Sequence, residues 1–274
     1  MMKKMRTKRG FTIIEVSLFL ALSGFLMVGL MVGTNFSISR QRYNDSVNSF
    51  GEFLRGIYSD VVNVSNDEPL SEEPGRTTTA IYGKYISIGE TDENGVFDGT
   101  LHVYDVVGYA ISSSSASTSR VIDALRADNV DINIFDDSGC TYASACQNKF
   151  YRHVTYSIPW DATIEKADGS LFKGGILVVR SPITGGIRTY IYEGSVYNFH
   201  SAIEESSASE NFSNVLSGIS SGSAGGERNL DMCIDSPDND GANRRNVRLL
   251  MRANNSTGVM LMPLDADDNA CLGR

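Results

Sequence analysis

The chain has 274 residues, of which 41% are hydrophobic and 21% charged, with a formal net charge of −9 and four cysteines. That length supports one globular domain with insertions and a sizeable core. The acidic balance argues against non-specific nucleic-acid binding by the body of the protein, because such binding needs Lys and Arg to neutralise phosphates.

The charge is unevenly placed. Lys3, Lys4, Arg6, Lys8 and Arg9 crowd the first ten positions, and residues 11–33 then carry one charge, Glu15, in 23 positions. At about 1.5 Å of rise per residue this run makes roughly 35 Å of helix, enough for a hydrocarbon core of about 30 Å. Basic residues ahead of the span predict a cytoplasmic N-terminus. The run exceeds the h-region of a cleaved secretory signal, about 7–15 residues, and no A-x-A site follows it. A carboxylate at membrane depth costs about 2.5–3.5 kcal/mol on insertion scales, which makes Glu15 a candidate functional residue.

Gly10-Phe11-Thr12-Ile13-Ile14-Glu15, after a basic leader and before an apolar helix, closely resembles the class III signal of type IV pilins and type II secretion pseudopilins. The resemblance covers some 40 to 55 residues. It implies that a prepilin peptidase cuts between Gly10 and Phe11 on the cytoplasmic side and that Phe11 is then N-methylated. It also implies that Glu15 neutralises the terminal amine of a neighbouring subunit during assembly. The competing reading is a plain signal anchor with an interfacial glutamate. Without the leader, 24 less five leaves 19 basic residues against 33 acidic, a net charge of −14 for the exported part.

The helix is expected to continue past the membrane run. Phe36, Tyr43, Val47, Phe50, Leu54, Ile57 and Val61 recur at spacings of three and four, and no proline occurs between Phe11 and Glu68. The domain expectation is therefore a cytoplasmic leader over 1–10, a transmembrane half-helix over 11–33, an amphipathic half over 34–64, and a globular head over 65–274. Gly24, Gly29 and Gly33 stand in the apolar run, where many pilins carry a proline; Gly29 and Gly33 form a weak G-x-x-x-G contact signal.

Residues 65–79, with Pro69, Pro74 and Gly75, read as a loop. Strands are expected over 81–88, 100–111, 130–136 and 149–160, and a hairpin over 175–180 and 187–192 around Ser181-Pro182-Ile183-Thr184-Gly185-Gly186. Residues 92–99 read as a solvated acidic hairpin loop, 112–119 as a serine-rich surface connection, and 120–128 as a short helix. Short helices are expected over 196–205 and 210–216, a flexible Gly/Ser segment over 217–227, and strands over 246–253 and 258–261. Together these predict an α+β fold with one long helix laid on an antiparallel sheet, the arrangement the pilin resemblance implies.

Four cysteines outside the cytoplasm favour disulfides. Cys140 and Cys146 are close enough to bridge locally, and Cys233 and Cys271 bracket a C-terminal region of the kind pilins commonly close with a disulfide; two other pairings stay open. C-x5-C is not a usual zinc spacing. No cofactor is expected. Calcium is the one candidate, because some pseudopilins hold it in a C-terminal loop, with Asp235, Asp238 and Asp240 as ligands; solvated loop charge is the alternative. His102, His153 and His200 lack H-x-x-x-H spacing, and no nucleophile elbow or phosphate-binding glycine pattern occurs, so no enzyme activity is expected.

The resemblance implies a structural subunit whose partners are other pilin or pseudopilin subunits, the prepilin peptidase, an inner-membrane assembly platform and, before assembly, membrane lipid. Removing the leader leaves 264 residues of 274, large for a major subunit, which points to a minor pilin. The location implied is single-pass in the membrane, then extracytoplasmic in a pilus or pseudopilus. The alternative is a membrane-anchored ectodomain that binds DNA or a surface ligand. The local basic cluster for DNA is Arg244, Arg245, Arg248 and Arg252, for which surface charge is the competing reading.

Overall fold

The computed structural model describes residues 12–63, 79–90, 100–110, 130–134, 154–166, 168, 170–181, 185–194, 208–220, 225–227, 230–235, 247–251 and 259–263. In chain order these form α1 (Ile13–Val62), β1 (Thr79–Ile88), β2 (Thr100–Ala110), β3 (Val130–Ile134), β4 (Val154–Ser157), β5 (Thr163–Lys166), β6 (Gly174–Arg180), β7 (Ile187–Glu193), α2 (Ala208–Ser220), β8 (Gly225–Glu227), β9 (Leu230–Asp235), β10 (Val247–Met251) and β11 (Val259–Pro263). The fold is α+β, with every strand pair antiparallel. The chain divides into two compact units, residues 1–44 and 45–274.

The larger unit contains two sheets, where a single one is expected from the sequence. The main sheet runs β3-β2-β1-β6-β7-β8, with β4 also on β2; the second runs β11-β10-β9-β5. The main sheet is buried on both faces, so its two alternating side-chain rows are both apolar. One row crosses the strands as Tyr104, Tyr85, Leu177 and Tyr190. It forms a core with Phe212, Val215, Leu216 and Ile219 of α2. The other row is Val103, Ile86, Ile176 and Ile191, all buried.

Residues 45–62 of α1 pack on that second face. Tyr58 hydroxyl shares a hydrogen bond with Thr189 Oγ1 at 2.5 Å, and Ser49 Oγ lies 2.9 Å from Tyr156 hydroxyl. The Tyr156 ring stacks on Phe53 with centroids 4.0 Å apart, and Ser46 Oγ donates to the carbonyl of Pro159 at 2.7 Å. Ser46, Val47, Phe50, Leu54, Ile57, Tyr58 and Val61 are buried. At about 100° per residue they span an arc of about 120°, the stripe of a helix packed on one side. The second sheet also approaches the helix: a Cβ on Gly51 would lie 2.8 Å from Leu261 Cδ1 of β11. At its end α1 has no basic residue in the last turn, and Arg180 of β6 donates to the Val62 carbonyl at 2.7 Å instead.

Burial raises the Tyr58 pKa to about 12, against the lowering effect of its Thr189 hydrogen bond. The unfolded phenol ionises near 10, so between pH 10 and about 12 the unfolded chain releases a proton that the folded chain keeps. Stability from this group is intact below pH 10 and falls as pH rises through that window, by about 3 kcal/mol. Tyr58→Phe should flatten the alkaline limb of the full chain's denaturation profile relative to wild type. Parallel limbs would contradict the burial of this hydroxyl.

Strands β1, β2, β3, β4, β6, β7, β10 and β11 fall on expected segments, and the expected helix over 210–216 is the core of the longer α2. The segment 217–227 departs from expectation: α2 continues to Ser220, and Gly225–Glu227 pairs with β7. A Cβ at Gly218 would come 2.6 Å from the Tyr192 ring, so the glycine is a packing contact rather than a hinge. The expected loops over 65–78, 92–99 and 112–119 and helices over 120–128 and 196–205 lie outside the described residues.

Candidate functional site

The start of α1 is built by its own sequence. Thr12 precedes the first helical residue, and its carbonyl accepts the first helical bond from Val16 N–H at 3.2 Å. Glu15 N–H donates to Thr12 Oγ1 at 3.3 Å, while Thr12 N–H and hydroxyl donate to Glu15 Oε2 at 3.1 and 3.2 Å. This is a reciprocal capping box of the T-x-x-E type, which satisfies amides that a helix N-terminus otherwise leaves open. The carboxylate also lies where the helix dipole favours negative charge. The signal was present in Thr12-Ile13-Ile14-Glu15, and the expectation of a role for Glu15 between subunits passes over it.

Beyond the cap the helix is apolar and, among the described residues, exposed. Large apolar side chains from Ile13 to Val32 are 48–89% exposed, and α1 is long and apolar enough to cross a membrane. Two of its hydroxyls are satisfied locally: Ser17 Oγ donates to the Ile14 carbonyl and Thr34 Oγ1 to that of Met31, both at 3.0 Å. Such back-bonding suits a segment without water. An N-terminal helix of this kind is consistent with a single-pass membrane protein.

The other expected positions are scattered or outside view. Gly10 and Phe11 lie outside the described residues, as do Cys140, Cys146, Cys271, Asp238, Asp240, His153, His200, Arg244, Arg245 and Arg252. Cys233 is buried on β9 and disulfide-bonded. Asp235 closes β9, and among the described residues no three His, Cys, Asp or Glu side chains gather as a metal site. His102 is buried on β2 with Nε2 3.0 Å from Thr100 Oγ1, a structural placement. Sequence reasoning also passed over the turn at Pro159–Asp161, where Trp160 is half exposed with φ 63° and Asp161 has φ 52°.

No protein-family model, curated protein or solved structure matches the chain.

Proposed function

We propose that this chain is a minor pilin-like structural subunit of a type IV pilus or pseudopilus. A prepilin peptidase cuts it between Gly10 and Phe11, Phe11 is N-methylated, and the subunit assembles through the apolar part of α1. The fold is then pilin-like, and the chain has no catalytic role of its own. The observation that carries this reading is the run Gly10–Glu15, set between a basic leader and an apolar helix whose large side chains are exposed among the described residues. A surface so apolar is stable in lipid or against other apolar helices, and not in water.

The cap supports the role of Glu15. Both bonds from Thr12 end on Oε2, leaving Oε1 without a partner among the described residues. One oxygen closes the helix while the other is open to the terminal amine of a neighbouring subunit, the pairing that a carboxylate in a dry bundle needs. The partners on this reading are other pilin or pseudopilin subunits, the peptidase and the inner-membrane assembly platform.

Processing and assembly test it separately in cells that make the native filament. Gly10→Val should retain the leader and run as a heavier band, whereas Glu15→Val should be cleaved and inserted but largely missing from sheared filaments. Mass spectrometry of the wild-type protein should find methylated Phe11 at the N-terminus. Any other start would overturn the reading, and a chain that stays unprocessed yet functional would favour an anchored binding ectodomain.

A further inference from the structure

On the α1-facing side of the main sheet, Lys84 of β1 stands directly opposite Asp105 of β2. Their side chains are 14% and 4% exposed, and Lys84 Nζ lies 2.5 Å from Asp105 Oδ1. That is ion-pair distance, yet Oδ1 has no hydrogen-bond partner, so the approach is too bent for one. Among the described residues neither side chain has another partner. Their neighbours on this face are apolar: Val178 faces Lys84 across β6, and Ile86 and Val103 occupy the next rung. The next charge on that face is Arg180, two residues beyond Val178 and engaged with the Val62 carbonyl.

A buried ion pair stabilises a fold only when further hydrogen bonds fill the remaining capacity of both groups, and here they do not. The placement suits bond formation better. Cγ is one carbon–oxygen bond, about 1.2 Å, from Oδ1, so Nζ lies within about 3.7 Å of Cγ, close to a near-attack separation. We propose that Lys84 and Asp105 condense into an intramolecular amide that staples β1 to β2. Net transfer of one proton from the ammonium to the carboxylate leaves the amine and the carboxylic acid. The Nζ lone pair attacks Cγ, the Nζ–Cγ bond forms, and one Cγ–O bond breaks. The departing hydroxyl takes a proton from nitrogen and leaves as water. No oxidant or cofactor is consumed. The product is neutral, so the unsatisfied buried charges disappear, and unlike the disulfide at Cys233 the link survives reduction.

The test uses the full chain in detergent, reduced, alkylated and digested with trypsin. Wild type should give one peptide over 77–120, lighter by one water and uncut at Lys84. Cleavage of that peptide after Glu90 should leave its two fragments covalently joined, which separates the amide from dehydration at Asp98-Gly99. Lys84→Arg and Asp105→Ala should each restore the full mass and, for the aspartate variant, the cut at Lys84. Free peptides over 77–84 and 85–120 at full mass from folded wild type would overturn the proposal. Neither result bears on cleavage at Gly10, so this inference and the proposed function fail independently.

Discussion

Gly174→Ala is expected to destabilise the larger unit by about 3 kcal/mol or more, because two separate obstacles meet at one atom. The residue opens β6 with φ 150°, a conformation that side chains with a Cβ rarely adopt. An added Cβ would also lie 1.9 Å from the backbone carbonyl oxygen of Tyr192, which cannot swing aside as a side-chain tip does. Relief requires β6 and β7 to separate where Gly174 faces Glu193, at the end of their shared ladder in the main sheet. Gly56→Ala is the matched control. It lies on the exposed face of α1 with nothing within 4 Å of its added methyl, and should gain about 0.5–1 kcal/mol from helix propensity. Denaturant unfolding of both variants in detergent should move the midpoints in opposite directions. Equal midpoints would mean that β6 and β7 do not approach as closely as described.

How far the sequence revealed this arrangement depended on whether a segment's own pattern or its distant neighbours decided its conformation. The β6–β7 hairpin was legible because local chemistry dictates it: Gly185 takes φ 68°, and Ser181 N–H bonds to the Gly186 carbonyl at 2.8 Å. The inward stripe Val47, Phe50, Leu54, Ile57 and Val61 was legible for the same reason, since helical periodicity survives in isolation. Gly51 belongs to that face because Leu261 of the second sheet lies against it, and nothing local announces that sheet. β5 has four residues, too short for alternation to register, and is held by pairing with β9. The Gly/Ser content of 217–220 suggested a flexible link, but Ile219 is buried in the core beneath the main sheet, and tertiary packing outweighs propensity there.

Glu15 shows the opposite lesson. Its position in the span marked it as functional, while the simplest physical account of it, the cap with Thr12, was legible three residues away. The two accounts are compatible, since the cap uses only Oε2 and the proposed pairing needs one free oxygen, and they separate in mutants. Gln in place of Glu15 keeps an acceptor for the cap but removes the charge that a neighbouring amine would need. Loss of assembly in that variant with the helix start intact assigns the role to charge rather than to capping.

Phe212→Ala is expected to cost about 3–5 kcal/mol, the range for deleting a fully buried aromatic ring. Phe212 is wholly buried, and its ring meets Tyr85 edge to face with centroids 5.5 Å apart and planes at 68°. Tyr85 cannot fill the space, because its hydroxyl end is held over Gly175, where an added Cβ would come within 2.2 Å of that oxygen. A cavity therefore persists between α2 and the sheet. Amides of Val215, Leu216 and Ile219 should lose hydrogen-exchange protection first, as α2 opens before the strands it covers. Protection of residues 46–61 should persist longer, because α1 packs on the opposite face through Tyr58, Tyr156 and Pro159. On the proposed function, cleavage after Gly10 should be unchanged, since Phe212 lies far along the chain from that site. A loss below about 1 kcal/mol would show that α2 is not seated on this face, and a collapse of exchange protection across α1 and α2 together would show that the two helices do not form separable layers.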